Sequence, residues 1–238
     1  MSNPYFRFKE FIVYHDKCAM KVGTDGVLLG AWVDLKEVNS ALDIGTGSGL
    51  ISLMLAQRSE SLHIDAVEID DSAYKQAKEN VERSAFSDRI CPILCDFQSF
   101  GKRVPLKKYD LIVSNPPYFS DSLKPSVSER KTARHTDTLS MRELIGNTAG
   151  LLTPDGKFNL INPTDCLDEI IEKGRDYNLF VSRICHVLPR KDLPSKRVLI
   201  EMGFLHKPTE ETELIIEIDR HVYTPEFRSL TKDFYLEK

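Results

Sequence analysis

The sequence predicts an α/β protein whose sheet is mostly parallel, with an antiparallel hairpin at its C-terminal end. Between residues 41 and 175, short apolar segments rich in β-branched residues alternate with segments of helical periodicity, which is typical of parallel strands joined by helices. Two later apolar runs, 180–188 and 198–205, are joined by a short basic loop at 189–194. So short a connection favours a hairpin, because parallel strands need a much longer crossover. The first predicted strand ends in a glycine-rich turn, as nucleotide-binding α/β units do.

The composition is that of an ordinary globular protein, with 41% hydrophobic and 29% charged residues among 238. This length suits one domain over 1–238, with an N-terminal extension at 1–40 and a C-terminal extension at 206–238. We expect neither a secretory signal nor a membrane span, because the apolar runs are far shorter than the roughly 20 residues a span requires. The five cysteines have no CxxC spacing, which indicates reduced thiols, a cytoplasmic protein and no metal centre. A net charge of −4 disfavours indiscriminate coating of nucleic acid but allows a local basic face.

The most informative stretch is Asn115-Pro116-Pro117-Tyr118, which follows the apolar run 109–114. That run is β-branched and apolar enough to be a strand buried on both faces. The two prolines end it, because neither can donate a ladder hydrogen bond. Asn115 and Tyr118 therefore lie on a stiff turn at the carboxyl end of a strand, where open α/β sheets bind their ligands. A plain strand-closing turn is the structural alternative, since Asn-Pro commonly starts turns.

This turn offers what a planar amino group needs in order to react as a nucleophile. The lone pair of such a nitrogen is delocalised into its ring or carbonyl. The side-chain oxygen of Asn115 and the carbonyl of Pro116 can accept both amino hydrogens, which stabilises the positive charge that grows on nitrogen. Tyr118 can supply a face on which a flat base stacks. We therefore expect Asn115, Pro116 and Tyr118 to be catalytic.

The glycine-rich turn is Gly45-Thr46-Gly47-Ser48-Gly49, and it follows a strand that contains Asp43. Glycines there let a ligand approach the backbone. The spacing is GxGxG and differs from the GxGxxG of dinucleotide folds. A second apolar strand ends at Glu68-Ile69, and Glu68 lies about 20 residues beyond the turn, as a ribose-binding carboxylate should. A solvated acid at a strand end is the alternative interpretation.

A third predicted strand, 90–95, ends at Asp96-Phe97. The acid could accept a hydrogen bond from the amino group of an adenine, and the aromatic ring could flank the base. Capping of a loop by Asp96 is an equally supported alternative.

Near the N-terminus, Gly23-Thr24-Asp25-Gly26 suits a tight polar loop laid over a ligand pocket. Thr24 or Asp25 could then cap a helix at 27–32. An ordinary helix cap with no role in binding is the simpler interpretation of this segment.

A long polar segment follows the Asn-Pro turn and extends to residue 140. Loops of this length are usually functional or disordered. The segment is basic, and the loop of the predicted hairpin adds two more cations, so both could hold a phosphate backbone. The candidate nucleic-acid-binding residues are Lys124, Arg130, Lys131, Arg134, His135, Arg190 and Lys191. A solvated charge run is the alternative, because acidic residues are interspersed.

The C-terminal half predicts further elements on both sides of the hairpin. Before it we expect a helix at 141–152, a turn at 154–156, a strand at 157–162 and a helix at 164–175. Thr164 is the predicted cap of the last helix. After the hairpin, 214–218 is a candidate edge strand, and the aromatic residues at 233–236 are expected to pack rather than bind.

The pattern of strands and helices resembles the class I S-adenosylmethionine-dependent methyltransferases over residues 20–205, whose sheet is Rossmann-like. The resemblance implies S-adenosyl-L-methionine as cofactor, with the glycine turn at its methionine part, Glu68 at its ribose and Asp96 at its adenine. The 1–40 extension would cover this cofactor. The candidate cofactor-binding residues are Thr24, Asp43, Gly45, Gly47, Gly49, Glu68, Ile69, Asp96, Phe97 and Asn115. In that class the NPPY motif marks enzymes that methylate planar amino nitrogens: adenine N6, cytosine N4 or a glutamine side chain.

A closer resemblance, covering nearly the whole chain, is to the bacterial tRNA (valine) adenine-37 N6-methyltransferase family. It rests on 20–32, on 115–119 with Arg130, Ala133, Arg134, Thr138 and Leu139, and on 233–236. It implies a cytoplasmic enzyme that methylates N6 of an adenine in tRNA, without a metal, a membrane or a stable protein partner. The alternatives are an adenine in ribosomal RNA, a protein glutamine, and an RNA-binding module that has lost activity; intact Asn115 and Tyr118 argue against the last.

Overall fold

The computed structural model describes residues 3–104, 107–117 and 139–236. Within these ranges the chain forms a nine-stranded sheet, a two-stranded N-terminal hairpin and seven α-helices. The strands are β1 (Tyr5–Arg7), β2 (Ile12–Tyr14), β3 (Ser40–Ile44), β4 (His63–Glu68), β5 (Ile90–Leu94), β6 (Tyr109–Ser114), β7 (Leu152–Pro163), β8 (Phe180–Arg190), β9 (Arg197–Gly203), β10 (Glu210–Asp219) and β11 (Val222–Tyr223). The helices are α1 (Thr24–Trp32), α2 (Leu50–Arg58), α3 (Asp71–Glu82), α4 (Phe97–Arg103), α5 (Met141–Leu151), α6 (Leu167–Asp176) and α7 (Pro225–Thr231).

The sheet has the strand order β11-β10-β8-β9-β7-β6-β3-β4-β5. Five adjacent strands, β7, β6, β3, β4 and β5, are parallel to one another. Strand β9 lies between β7 and β8 and is antiparallel to both. This confirms the predicted mostly parallel sheet with an antiparallel hairpin at its C-terminal end. Because β8 and β7 point the same way, the loop between β8 and β9 lies at the carboxyl edge of the sheet, where β6 and β3 also end.

The sheet separates two hydrophobic cores, and alternate residues of β6 contribute to each. Leu111 and Val113 face the core beneath α1 and α2, whereas Ile112 faces the core that holds residues of α4, α5 and α6. This alternation is the period of a strand, and all three side chains are fully buried. The prediction that this strand is buried on both faces is therefore confirmed.

The two ends of the chain pack together. The backbone N–H of Lys9 donates to the carbonyl of Phe234 at 2.9 Å, and the ring of Tyr235 stacks on Phe8 with centroids 6.0 Å apart. Phe234 is 2% exposed. The prediction that the aromatic tail packs into the core is confirmed.

The predicted start of the first helix is wrong. Helix α1 begins at Thr24, with Gly23 as its N-cap, so neither Thr24 nor Asp25 caps a helix at 27–32. Gly26 lies inside the helix, where a Cβ atom would come 3.0 Å from the Leu50 side chain. The glycine therefore serves close packing of α1 on α2, and it does not form a loop.

The predicted turn at 154–156 is also wrong, because β7 begins at Leu152. Tyr109 of β6 pairs with Leu152, but Leu111 pairs with Lys157, so residues 153–156 bulge out of the ladder. A Cβ atom on Gly156 would come 2.8 Å from the carbonyl oxygen of Tyr109. A glycine at a bulge permits this close backbone approach.

Two further predictions need correction at the C-terminal side. Thr164 begins a 3₁₀ turn, Thr164–Cys166, and makes no capping bond; its hydroxyl oxygen lies 2.9 Å from that of Ser195 instead. The strand predicted at 214–218 is the longer β10, which pairs in parallel with β8. The outermost strand on that side is the two-residue β11. In the described ranges, no helix combines the length and apolar character that a membrane crossing needs.

Candidate active site

The carboxyl ends of four neighbouring parallel strands, β6, β3, β4 and β5, form the candidate active site. Ile44 at the end of β3 is in register with Ser114 at the end of β6. The buried hydroxyl of Ser114 donates to the carbonyl of Ile44 at 3.0 Å. The chain leaves these strands at Gly45 and Asn115, so the glycine turn and the Asn-Pro turn begin side by side.

The glycine turn is built from left-handed backbone. Gly45, Gly47 and Gly49 have φ angles of +68°, +57° and +81°, and residues other than glycine rarely adopt such angles. A Cβ atom on Gly45 would meet no heavy atom of the described residues within 4 Å, and one on Gly47 would meet only the Gly45 carbonyl oxygen at 4.0 Å. Gly49 packs against Ala77 of α3 at 3.6 Å. The first two glycines therefore leave an open cradle of bare backbone.

Asp43 holds this turn from beneath and is completely buried. Its Oδ2 atom accepts hydrogen bonds from the hydroxyls of Thr46 and Ser52, each at 2.7 Å. Burial raises the pKa of Asp43 to about 6, although both hydrogen bonds oppose the rise. Oδ1 has no hydrogen-bond partner among the described residues. Asp43 thus shapes the turn, and its carboxylate is enclosed under it.

Glu68 at the end of β4 is 8% exposed and bonds to the backbone on two sides. Its Oε2 atom accepts from the N–H of Gly47 at 2.8 Å, and Oε1 accepts from the N–H groups of Ile69 and Asp70 at 2.9 Å. A carboxylate offers about four acceptor positions, so one is left for a ligand. The side chain of Ile69 follows it directly in the chain, is 53% exposed and provides an apolar surface.

Asp96 begins α4 and caps it. Its Oδ1 atom accepts from the backbone N–H of Ser99 at 2.7 Å. Burial works against ionisation, but the hydrogen bonds from Ser99 outweigh it and lower the pKa of Asp96. Phe97 is 5% exposed and belongs to the core, so little of its ring is left for a bound adenine. The side chain of Asp96 therefore has a capping role, and what it caps is helix α4 rather than a loop.

The first turn of α1 lies against the Asn-Pro turn. A Cβ atom on Gly26 would come 3.9 Å from Nδ2 of Asn115, and Asn115 is half-buried. One residue earlier, Oδ2 of Asp25 lies 2.8 Å from Nε of Arg197 at the start of β9. Thr24 is exposed at the same helix end. This ion pair fixes α1 to the strand beside β7.

The loop of the β8–β9 hairpin lies at the same edge of the sheet. Arg190, which the sequence placed in this loop, is the last residue of β8. It pairs with Asp192 of the loop at 3.1 Å, whereas Lys191 is exposed in the loop. The contact of Ser195 with Thr164 ties the loop to the end of β7. The structure thus brings the two predicted hairpin cations to the edge that carries Asn115. The other predicted nucleic-acid contacts and one catalytic residue lie outside the described residues: Tyr118, Lys124, Arg130, Lys131, Arg134 and His135.

Sequence reasoning missed three residues that organise this edge, namely Gln76, Asn80 and Arg197. Gln76 and Asn80 are each 1% exposed on α3 and bond to the backbone of the N-terminal segment. One signal was present in the sequence, since both stand at i and i+4 on the same apolar face as Ala77. Polar residues at that spacing on a buried helix face need partners. No local pattern indicated the partner of Arg197.

The chain is similar to known proteins in both sequence and structure. Residues 20–166 match the family model "Methyltransferase small domain". Two curated relatives are 49% and 48% identical over the full length of both chains; they come from Parabacteroides distasonis and Trichodesmium erythraeum, and each is named tRNA1(Val) (adenine(37)-N6)-methyltransferase. A predicted O-methyltransferase from Agrobacterium tumefaciens superimposes with a TM-score of 0.70 at 20% identity, over 88% of this chain and 96% of the other. The glycopeptide N-methyltransferase MtfA, solved with S-adenosyl-L-methionine, has a TM-score of 0.55 at 13% identity, over 78% and 100%.

The sheet topology is the Rossmann-like fold that this chain shares with the solved structures, and the matching family model shows that the chain is a methyltransferase. Within this class the chain belongs to the methyltransferase small domain family, together with the bacterial tRNA1(Val) (adenine(37)-N6)-methyltransferases that it matches from end to end. The family resemblance expected from the sequence motifs is thereby confirmed.

Proposed function

We propose that this protein transfers a methyl group from S-adenosyl-L-methionine to N6 of an adenine in tRNA, and that the base is adenine 37 of a valine tRNA. The observation that carries the proposal is the juxtaposition of Asn115 with the open glycine turn, through the bonded pair Ser114 and Ile44. This juxtaposition supports the proposal, because an amide oxygen that could accept amino hydrogens lies beside bare backbone that could admit a cofactor. The names of the full-length relatives support the substrate.

The residues at the edge fit S-adenosyl-L-methionine. The bare backbone at Gly45 and Gly47 admits the amino-acid part of a ligand. Glu68 keeps one acceptor position for a ribose hydroxyl, and the exposed Ile69 offers an apolar face to an adenine ring. Oδ2 of Asp96 can accept from the amino group of that ring. When bound, this cofactor supplies an electrophilic methyl group on a sulfonium.

The Asn-Pro turn prepares the attacking nitrogen. The side-chain oxygen of Asn115 and the carbonyl of Pro116 accept the two amino hydrogens of the target adenine, which frees the lone pair of N6 for attack and stabilises the charge that develops there. Because Asn115 stands beside Gly45, it would hold the nitrogen close to a methyl donor bound at the glycine turn, and such positioning can supply much of the rate of a group transfer. Stacking of the flipped base on Tyr118 stays a prediction.

The net charge of the chain is −4, which would repel the phosphates of tRNA as a whole. The tRNA backbone must therefore be held by a local basic face. Arg190 at the end of β8 and Lys191 in the hairpin loop stand at the edge where the target base must enter. The segment that contains Arg130 and Arg134 follows the Asn-Pro turn directly, and its role stays a prediction, as does the cytoplasmic location.

Methyl transfer to defined substrates tests this function. The protein is incubated with methyl-labelled S-adenosyl-L-methionine and, in turn, a valine tRNA transcript, the same transcript with guanine at position 37, ribosomal RNA, and a peptide chain release factor. We expect label in the first transcript alone. Label in the release factor would favour methylation of a protein glutamine. Label in ribosomal RNA would show that ribosomal RNA is a substrate in place of tRNA. Equal label in both transcripts would overturn the assignment of position 37.

A further inference from the structure

Asn80 in the middle of α3 satisfies its whole side-chain amide with two separate segments of backbone. Its Oδ1 atom accepts from the N–H of Tyr14 at 3.0 Å, and its Nδ2 group donates to the carbonyls of Tyr14 and Ser48, each at 2.8 Å. The residue is 1% exposed. Because both amide hydrogens and the oxygen have partners, the amide can take only one orientation.

The segment that Asn80 holds is secured at other points as well. One turn earlier on α3, the buried Gln76 accepts from the backbone N–H of Lys17 at 3.2 Å. The ring of His15 closes the segment on itself: Nδ1 accepts from the N–H of Val22 at 3.3 Å, and Nε2 lies 3.0 Å from the carbonyl of Asn3. Residues 14–22 therefore form a closed loop pinned to α3.

Asn80 joins this pinned loop to the glycine turn, because the same amide group binds the carbonyls of Tyr14 and Ser48. Burial, followed by the negative charges of Glu68 and Asp70, raises the pKa of the Cys18 thiol to about 11. Ser48, which Asn80 also holds, stands between Gly47 and Gly49 of the glycine turn.

We propose that residues 14–22 are a fixed wall of the cofactor site and that Asn80 is the positioning residue that joins this wall to the glycine turn. The inference rests on the proposed function in taking the ligand to be the adenosyl cofactor. Loss of the Asn80 amide would free Tyr14 and Ser48 from each other, leaving buried backbone groups without partners. Residues 14–22 would then become ordered only when the cofactor binds. Because this ordering costs conformational entropy, the affinity for the cofactor would fall.

The test compares Asn80→Ala with Val81→Ala by calorimetric titration with S-adenosyl-L-homocysteine. Val81 is a matched control, because it is buried at the next position of the same helix and its truncation removes apolar packing but none of the side-chain hydrogen bonds to Tyr14 and Ser48. We expect Asn80→Ala to raise the Kd about tenfold, which corresponds to roughly 1.4 kcal/mol, and to leave kcat at saturating cofactor within about twofold. Val81→Ala should leave the Kd unchanged. Asn80→Asp keeps the acceptor for Tyr14 but loses both donors, so it should not restore binding.

A second readout does not depend on the identity of the cofactor. The rate at which N-ethylmaleimide alkylates Cys18 is measured by peptide mass spectrometry, with the exposed Cys91 as internal standard. We expect Asn80→Ala to accelerate alkylation of Cys18 several-fold but not that of Cys91, and S-adenosyl-L-homocysteine to protect Cys18 in the wild type. A folded Asn80→Ala protein with wild-type Kd and wild-type Cys18 reactivity would overturn the proposal. If the wild type does not bind S-adenosyl-L-homocysteine, the proposed function fails, and faster Cys18 alkylation in Asn80→Ala would still support the role of Asn80 in holding the wall.

Discussion

The backbone N–H of Gly47 donates to Oε2 of Glu68 at 2.8 Å. This bond joins the glycine turn to the end of β4, and the carbonyl of Val67, one residue before Glu68, accepts from the N–H groups of Gly45 and Thr46. The cradle and the ribose-side carboxylate are therefore one hydrogen-bonded unit. A change at Glu68 acts on the proposed cofactor site in two ways, through the lost ligand contact and through release of the turn.

Glu68→Ala should weaken binding of S-adenosyl-L-homocysteine by about 1.5–3 kcal/mol, which is the scale of a hydrogen bond to a charged group. Glu68→Gln should lose less, because its amide oxygen can still accept from the N–H groups of Ile69 and Asp70. Calorimetric titration measures both variants. Glu82→Ala, which removes an exposed carboxylate from α3, is the control. Unchanged affinity in a folded Glu68→Ala protein would remove Glu68 from the cofactor site.

The buried Asp43 predicts a dependence of stability on pH. Its pKa rises from an ordinary 3.8 to about 6 on folding, so between these values the folded state binds more protons than the unfolded state. The stabilisation of the folded state that comes from protonated Asp43 is therefore fully present below pH 3.8 and is lost as the pH rises through 6. The free energy of unfolding of the wild type, minus that of Asp43→Asn, should therefore fall by on the order of 3 kcal/mol between pH 4 and pH 7.

Urea unfolding of both proteins across this pH range gives the difference, and the comparison cancels the titration of every other group. The asparagine can still accept from Thr46 and Ser52 through one oxygen, so the turn should persist. A difference that stays constant, or that grows in favour of the wild type as the pH rises, would show that Asp43 titrates below this range.

Lys191→Ala should weaken binding of tRNA and flatten its salt dependence. Each phosphate contact that is lost reduces the slope of log affinity against log salt by roughly 0.7–0.9, and Lys191 is exposed at the carboxyl edge of the sheet. Binding isotherms across a salt series provide the slope. We expect Arg134→Ala to behave in the same way, as predicted from its position after the Asn-Pro turn, and neither variant should change cofactor binding.

Lys207→Ala is the matched control for this series. Lys207 is equally exposed, but it lies in the link from β9 to β10 at the opposite edge of the sheet. If Lys191→Ala and Lys207→Ala give the same slope as the wild type, the hairpin loop does not contact the tRNA backbone. If both flatten the slope, binding is a diffuse charge effect without a defined face.

Those features whose cause is local could be predicted from the sequence. The strand before Asn115 is apolar on both faces and is stopped by two prolines, so its end and its setting follow from adjacent residues. The glycine turn is equally local, because each of its glycines has a positive φ angle. Their juxtaposition followed from a rule of parallel sheets, in which the carboxyl ends of neighbouring strands meet.

Contacts between distant residues could not be predicted in this way. Arg197 pairs with Asp25 across 172 positions, and Asn80 binds Tyr14 across 66. Thr164 looked like a helix cap because its neighbours are helical, but Ser195 from the hairpin loop takes its hydroxyl. Each of these partners is chosen by the packing of whole elements, which leaves no mark in a short window of sequence.

The central claim is that Asn115 activates the amino group of an adenine in tRNA, and the turnover rate of Asn115→Ala on a valine tRNA transcript tests it most directly. Loss of a transition-state acceptor should lower turnover about 100-fold or more, while the Kd for S-adenosyl-L-homocysteine stays close to that of the wild type. Asn115→Asp, which keeps an oxygen acceptor, should retain more of the rate, and nucleoside mass spectrometry should find N6-methyladenosine as the product. Near wild-type turnover in a folded Asn115→Ala protein, or a different methylated nucleoside, would contradict the account.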